Sequence, residues 1–227
     1  MAENMNSIAP NDYPGVRSSR FRVCVIMQGL LTLAVLTTQQ AQAAVECDPF
    51  RWERERLDFT AAKDRVRISQ VESHHFDERT ENLVRGKTGI VGADIDFLVR
   101  YSPNHHRGLA ALVRLSLKDK TPKPSGVNIP VECYLLRALE FKPSDVEVQK
   151  IYATYLARLG RDAEAIARLE QAEKLAPDDP YVAYNLGLLL TEKRDFERAR
   201  MYAEKAYAAG VQLPGLRQKL ARQGQWH

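Results

Sequence analysis

Two stretches in the C-terminal part of the chain repeat each other at a fixed offset of 34 residues. Ala153 is followed at that offset by Gly187, Leu156 by Leu190, Ala165 by Ala199 and Ala172 by Ala206. Asp145 and Asp179 recur in step, as do Pro143 and Pro177 at the two boundaries. A matched offset of this length restricts the chain to a stacked array, because each unit presents an apolar face that only a neighbour can bury. Apolar spacing within each unit is helical. The small residues Ala153, Ala165, Gly187 and Ala199 stand where two antiparallel helices must approach closely. The stretch from Val146 to Gly210 therefore reads as two helix-turn-helix units in tandem.

The second unit opens with Tyr184-Asn185-Leu186-Gly187, carries Leu190 one turn on, and keeps Ala199 and Ala206 in its second helix. This pattern resembles the tetratricopeptide repeat (TPR) family. The departures are specific: the tryptophan position of that family holds Gln149 and Ala183, its leucine is Tyr152 in the first copy, and its second-helix aromatic is replaced by Leu169 and Ala203. The resemblance implies an all-α, helix-turn-helix TPR solenoid, a scaffold whose fold does not by itself name what it binds.

Weaker copies extend the array upstream. Apolar residues from Ile90 to Tyr101 form one helical face that stops before Pro103, as the second helix of a degraded unit would. His106 to Leu117 then repeats the spacing seen after Pro177, with Leu109 and Leu112 in the places of Ala183 and Leu186. A loop from Lys118 to Pro130, interrupted by Pro122, Pro124 and Gly126, leads into a helix over Val131 to Phe141. This gives about three repeats, the first ones degenerate, over residues 90–227. Pro214 to Gln223 closes them as a capping helix whose Leu216 and Leu220 share a face.

Residues 44–89 carry less pattern. An irregular arm runs to about Thr60. A short helix over Ala61 to Ser73 is supported by Val66, Ile68 and Val71, and another over Asp77 to Val84 has Asp77 as its N-cap. Residues 1–43 stand apart. Arg17, Arg20 and Arg22 precede an apolar run from Val23 to Leu36, and Ala41-Gln42-Ala43 follows, the pattern of a secretory signal with a polar N-terminal extension. The run is short for a bilayer span, which needs about 20 residues. The expectation is an exported, periplasmic or otherwise extracytoplasmic protein with no membrane insertion after cleavage. Removal of the signal leaves Cys47 and Cys133, an even pair expected to form a disulfide in an oxidising compartment.

The net charge of +4 is spread along the chain with no basic block, which gives no reason to expect a nucleic-acid partner. Gly86-Lys87-Thr88 ends like a phosphate-binding loop, but the first glycine of that motif falls at Glu81, whose carboxylate would repel phosphate. The sequence has no H-E-x-x-H, nucleophile elbow, C-x-x-C pair or dinucleotide glycine fingerprint. No enzyme activity and no cofactor are expected. Two histidine pairs, His74/His75 and His105/His106, supply an alternative, a metal-dependent or enzymatic protein, if both pairs meet in space. Another alternative is a structural subunit that self-associates through the open end of the stack. The leading expectation is an adaptor that binds a protein or peptide partner in the cell envelope. By the resemblance, the first helices of successive repeats line a concave groove, where counting from the repeat starts places Arg107, Arg114, Lys150, Thr154, Arg158, Tyr181, Tyr184 and Leu188. That surface is basic at one end and aromatic at the other, suited to a carboxylate and an apolar side chain.

Overall fold

The computed structural model describes residues 45–49 and 55–226; the leader-like segment lies outside them. The regular elements among the described residues are all helices, with no strand. A 3-10 turn at Ala62–Asp64 runs into α1 (Arg65–His75), followed by α2 (Glu78–Glu81), α3 (Val91–Tyr101) and α4 (His106–Asp119). Then come α5 (Val131–Phe141), α6 (Val146–Arg158), α7 (Asp162–Leu175), α8 (Pro180–Glu192), α9 (Phe196–Ala208) and α10 (Gly215–Arg222).

The residues that repeat at the 34-residue offset are the ones that hold the two C-terminal hairpins together. α6 packs on α7 and α8 on α9, and α7 joins the two pairs by packing on α8. Ala153, Ala165, Ala172, Ala199 and Ala206 are wholly buried in the common core. Gly187 explains why its position admits only small residues: a Cβ there would stand 3.4 Å from the Ala199 carbonyl oxygen and 2.6 Å from Leu216 Cδ2. The recurring aspartates start helices. Asp145 accepts from the Val148 N–H (3.3 Å), and Asp179 accepts from the N–H groups of Tyr181 (2.8 Å) and Val182 (3.3 Å). Each thereby satisfies backbone donors that have no partner within the helix. The turn inside each hairpin needs a left-handed residue. Gly160 supplies it in the first (φ +77°) and Arg194 in the second (φ +61°), the latter without glycine's freedom.

The third pair, α4 and α5, is joined by the expected loop, which is not free. Gly92 at the start of α3 lies so close to it that a Cβ would stand 2.1 Å from the Ser125 carbonyl oxygen. Asn128 donates its backbone N–H (3.2 Å) and Nδ2 (2.7 Å) to the buried Asp96 of α3, which also accepts from the Tyr134 hydroxyl and from Arg100 Nε. Burial and the Asp96 carboxylate both push the Tyr134 hydroxyl pKa up. The loop is thereby a structural brace between α3 and α5.

The described residues from Cys47 onward fall within one compact unit, and the segments on either side of Gly89 pack on each other: α1 meets α3, and α2 meets α3 and α4. In α1 the burial is carried by Ile68, whereas Val66 is 69% exposed. Two positions apart on a helix is about 200°, so both cannot face one core. The helix expected over Asp77–Val84 is shorter than its pattern. Asp77 caps it by accepting from the Thr80 N–H (2.9 Å), but Leu83 turns left-handed (φ +59°) and ends it. The arm before α1 is fixed in detail. Leu57 is buried and its N–H donates to the Tyr101 carbonyl (3.0 Å), while Asn104 accepts from the Phe59 N–H (3.0 Å). Cys47 is bonded to Cys133, with Cα atoms 5.7 Å apart, inside the range of about 4.4–6.8 Å that a bridge requires.

At the other end α10 covers the last pair, packing on α8 and α9 with Leu216 and Leu220 fully buried. Trp226 follows it and meets Tyr207 edge-on, with ring centroids 5.8 Å apart. Among the described residues no helix is long and apolar enough to cross a membrane.

Candidate functional site

The first helices of the three C-terminal pairs are α4, α6 and α8. The repeat offset puts Glu147, Lys150, Thr154 and Arg158 of α6 in register with Tyr181, Tyr184, Leu188 and Glu192 of α8. Aligning Leu109 with Ala183 adds Arg107, Ala110, Arg114 and Lys118 of α4 to the same rows.

These residues do not form one open surface. Tyr184, expected on the concave face, is a core residue only 1% exposed. Its hydroxyl accepts from the Leu216 N–H at the start of α10 (3.2 Å), and its ring meets Tyr207 edge-on. The capping helix occupies the space that the next repeat would otherwise fill. Leu188 is likewise buried at 2%, and the Thr154 hydroxyl is turned back to the Lys150 carbonyl (2.9 Å). Tyr184→Ala is therefore expected to destabilise the fold by about 3 kcal/mol, as loss of a large core side chain does. Tyr184→Phe gives up one hydrogen bond and is expected to cost about 1 kcal/mol. Urea unfolding measures both, and a Tyr184→Ala protein as stable as the parent would contradict this placement.

Lys150 is buried too, and its ammonium group is paired. Its Nζ lies 2.7 Å from Glu147 Oε2 and donates to Asp179 Oδ2 (3.1 Å), the N-cap of the next repeat, with the Tyr181 ring 6.0 Å away. Burial works against its charge, yet the two carboxylates outweigh that and hold its pKa above the ordinary lysine value. Tyr181 and Arg158 are half-buried at the rim. On α4, Arg107 pairs with Glu81 and Glu72, and Arg114 donates to the Glu81 carbonyl (2.8 Å). Arg107 thus meets α1 and α2 and Arg114 meets α2, contacts that helix counting within the repeats does not reveal.

The histidines do not assemble into one centre. His75 Nδ1 lies 2.8 Å from Asp94, His105 Nε2 3.0 Å from Glu72, and His106 Nε2 2.9 Å from Asp145, so each ring has its own carboxylate. His74 sits exposed at the end of α1. Among the described residues no group of three or more His, Cys, Asp or Glu side chains is placed to hold a metal ion. Gly86-Lys87-Thr88 also has a structural role, since Asp94 accepts from the Thr88 N–H (2.9 Å) and hydroxyl (2.5 Å) and so folds that turn onto α3.

His105 does a different job. It precedes α4, is fully buried, and its Nδ1 accepts from the Gly108 N–H (3.0 Å) in the manner of an N-cap. Its proton therefore sits on Nε2 and is donated to Glu72. Burial, opposed by the Glu72 carboxylate, holds the His105 pKa below the ordinary histidine value. A native pKa below the unfolded one means that the unfolded chain binds more protons, so stability falls as pH drops below the unfolded value near 6.5. Asp145, Asp94 and Glu72, all with lowered pKa values, add a further loss below the ordinary carboxylate range. We predict that His105→Asn, which keeps a capping oxygen without the imidazole, shows a smaller decline in melting temperature from pH 7 to 5 than the parent. An unchanged slope would contradict a lowered native pKa for His105.

A family model described as tetratricopeptide repeat matches residues 146–189, which span α6, α7 and most of α8. A search of curated proteins gives no match. The chain thus contains a tetratricopeptide-type region, which among the described residues lies within a longer helical array.

Proposed function

We propose that this protein is an exported helical-repeat adaptor that binds a protein or peptide partner in the cell envelope. The observation that carries this reading is the match over residues 146–189 to a protein-interaction repeat. The binding face is the row formed by α4, α6 and α8. After the burial of Tyr184, Leu188, Thr154 and Lys150, its side chains that remain at least partly exposed are Arg107, Arg114, Arg158 and Tyr181. This makes the surface more cationic and less aromatic than the repeat count alone implies, suited to an acidic segment held by charge-assisted hydrogen bonds. Two features support export. The leader-like pattern of residues 1–43 is one. The Cys47–Cys133 disulfide, consistent with an oxidising compartment, is the other.

Affinity capture from the envelope fraction of the native host tests the reading, with Arg158→Glu/Tyr181→Ala compared against the parent. The double variant is expected to keep its helical circular dichroism and lose the partner that the parent captures. A partner retained by the well-folded double variant would place binding elsewhere.

A further inference from the structure

On the solvent side of α4, Arg107, Arg114 and Lys118 follow one another at spacings of seven and four residues, which places them on one stripe of the helix. The stripe aligns with the rows of α6 and α8 that the proposed function assigns to the partner. It is occupied by the chain itself. Arg107 Nε donates to Glu81 Oε1 (2.9 Å) and its Nη2 to Glu81 Oε2, a two-pronged grip on one carboxylate. Arg114 Nη2 donates to the Glu81 carbonyl (2.8 Å), and Lys118 Nζ to the Leu83 carbonyl (3.3 Å). Three successive cations thus hold a glutamate side chain and the carbonyl end of a helical turn.

The segment so held is a single turn of helix, α2, between an N-cap and a left-handed residue. Thr80 is buried and Leu83 packs partly against the core, but Glu78, Arg79, Asn82 and Val84 face solvent. Leu83 adopts φ +59°, a conformation that L side chains rarely take without external support. Most of the polar attachment of residues 78–84 to α4 is therefore the cationic stripe. Guanidinium groups paired with a carboxylate are the strongest of these contacts, and they are equally open to a carboxylate from another chain.

We infer that residues 78–84 are an internal ligand for the basic end of the binding face, and that the stripe's external ligand is an acidic peptide that displaces them. This rests on the proposed binding face. The peptide has the chemistry of the segment it replaces: a glutamate for Arg107, and carbonyl or carboxylate oxygens at the end of a helical turn for Arg114 and Lys118. Displacement couples binding to release of α2. In such a competition the observed affinity is lowered by the fraction of molecules whose face is closed.

The probe is a fluorescent, end-capped peptide with the sequence of Asp77–Val84, added to the full chain. Glu81→Lys places a cation against Arg107 and frees the face, whereas Glu78→Lys makes the same charge change at an exposed position away from the stripe. Glu81→Lys is expected to bind the peptide at least tenfold more tightly than the parent, Glu78→Lys to match the parent, and Glu81→Lys/Arg107→Ala to lose the gain. Hydrogen exchange supplies a second measurement that needs no variant. Saturating peptide should speed exchange of the 78–84 amides in the parent while α4 stays protected. Equal peptide affinity for parent and Glu81→Lys, with exchange at 78–84 unchanged, would overturn the internal ligand and leave the basic face standing. No binding to any of the chains would overturn both.

Discussion

Cys47→Ser is expected to lower the unfolding free energy by about 4 kcal/mol, the loop-closure entropy that a bridge of this span removes from the unfolded chain. The bond joins residues 86 apart in sequence, Cys47 in the arm and Cys133 in α5. Cys133 is buried, so the arm is anchored to the interior of the array and not to its rim. The following segment is also tied to distant parts of the chain by hydrogen bonds. Asp58 accepts from Lys142 Nζ (2.8 Å) and Asn104 Nδ2 (2.8 Å), and Asn104 also donates to Asp145 (2.9 Å). Without the covalent link, these hydrogen bonds and the contacts of Leu57 and Phe59 must hold the arm. Urea unfolding with and without a thiol reductant makes the test. Reductant should lower the midpoint of the parent and leave Cys47→Ser unmoved. A parent indifferent to reductant, or a serine variant of parental stability, would show that the bridge does not constrain the chain.

A comparable loss, about 3–4 kcal/mol, is expected for Glu132→Ala, because it breaks a buried ion pair from one side. Glu132 of α5 is 4% exposed, accepts from the Tyr152 hydroxyl of α6 (2.6 Å) through one oxygen, and from Arg161 Nη1 (2.7 Å) through the other. One carboxylate therefore ties the degenerate third pair to the first helix of the next and to the turn that starts α7. Burial, then the Glu132 carboxylate, pushes the Tyr152 hydroxyl pKa up. Removing the acceptor strands that hydroxyl in the interior, whereas Arg161 keeps a second carboxylate, Glu164, at 2.7 and 2.6 Å. The stranded group supplies part of the cost and the lost pair the rest. Glu132→Gln keeps one acceptor oxygen and turns an amide toward Arg161, so an intermediate loss of about 2 kcal/mol is expected. If chemical denaturation finds Glu132→Ala within 1 kcal/mol of the parent, the network contributes nothing of this kind.

The sequence made some of this structure legible for identifiable reasons. The 34-residue offset exposed α6 to α9 because repeated close approach demands small residues at repeated places, and the offset aspartates are the caps of α6 and α8. The disulfide followed from an even pair of cysteines beyond a leader-like segment. Burial of Tyr184 did not follow, because counting positions along α8 assigns a face without knowing that α10 covers it. The grip of α4 on α2 was hidden for a similar reason. It depends on Arg107 and Arg114 meeting Glu81 across a long stretch of chain, and surface charges carry no periodicity that would announce the meeting. Glu132 left a faint signal. It stands in a helix whose neighbours Val131, Cys133, Tyr134 and Leu135 are all apolar or aromatic, a setting in which a carboxylate needs a buried partner.

Site-specific photocrosslinking in the native host tests the binding face most directly. A photoreactive residue placed at Tyr181, on the rim of the proposed face, is compared with one at Met201, which is exposed on α9. A discrete crosslinked partner is expected from position 181 and none from 201. A partner crosslinked from position 201 with nothing from 181 would contradict that binding face.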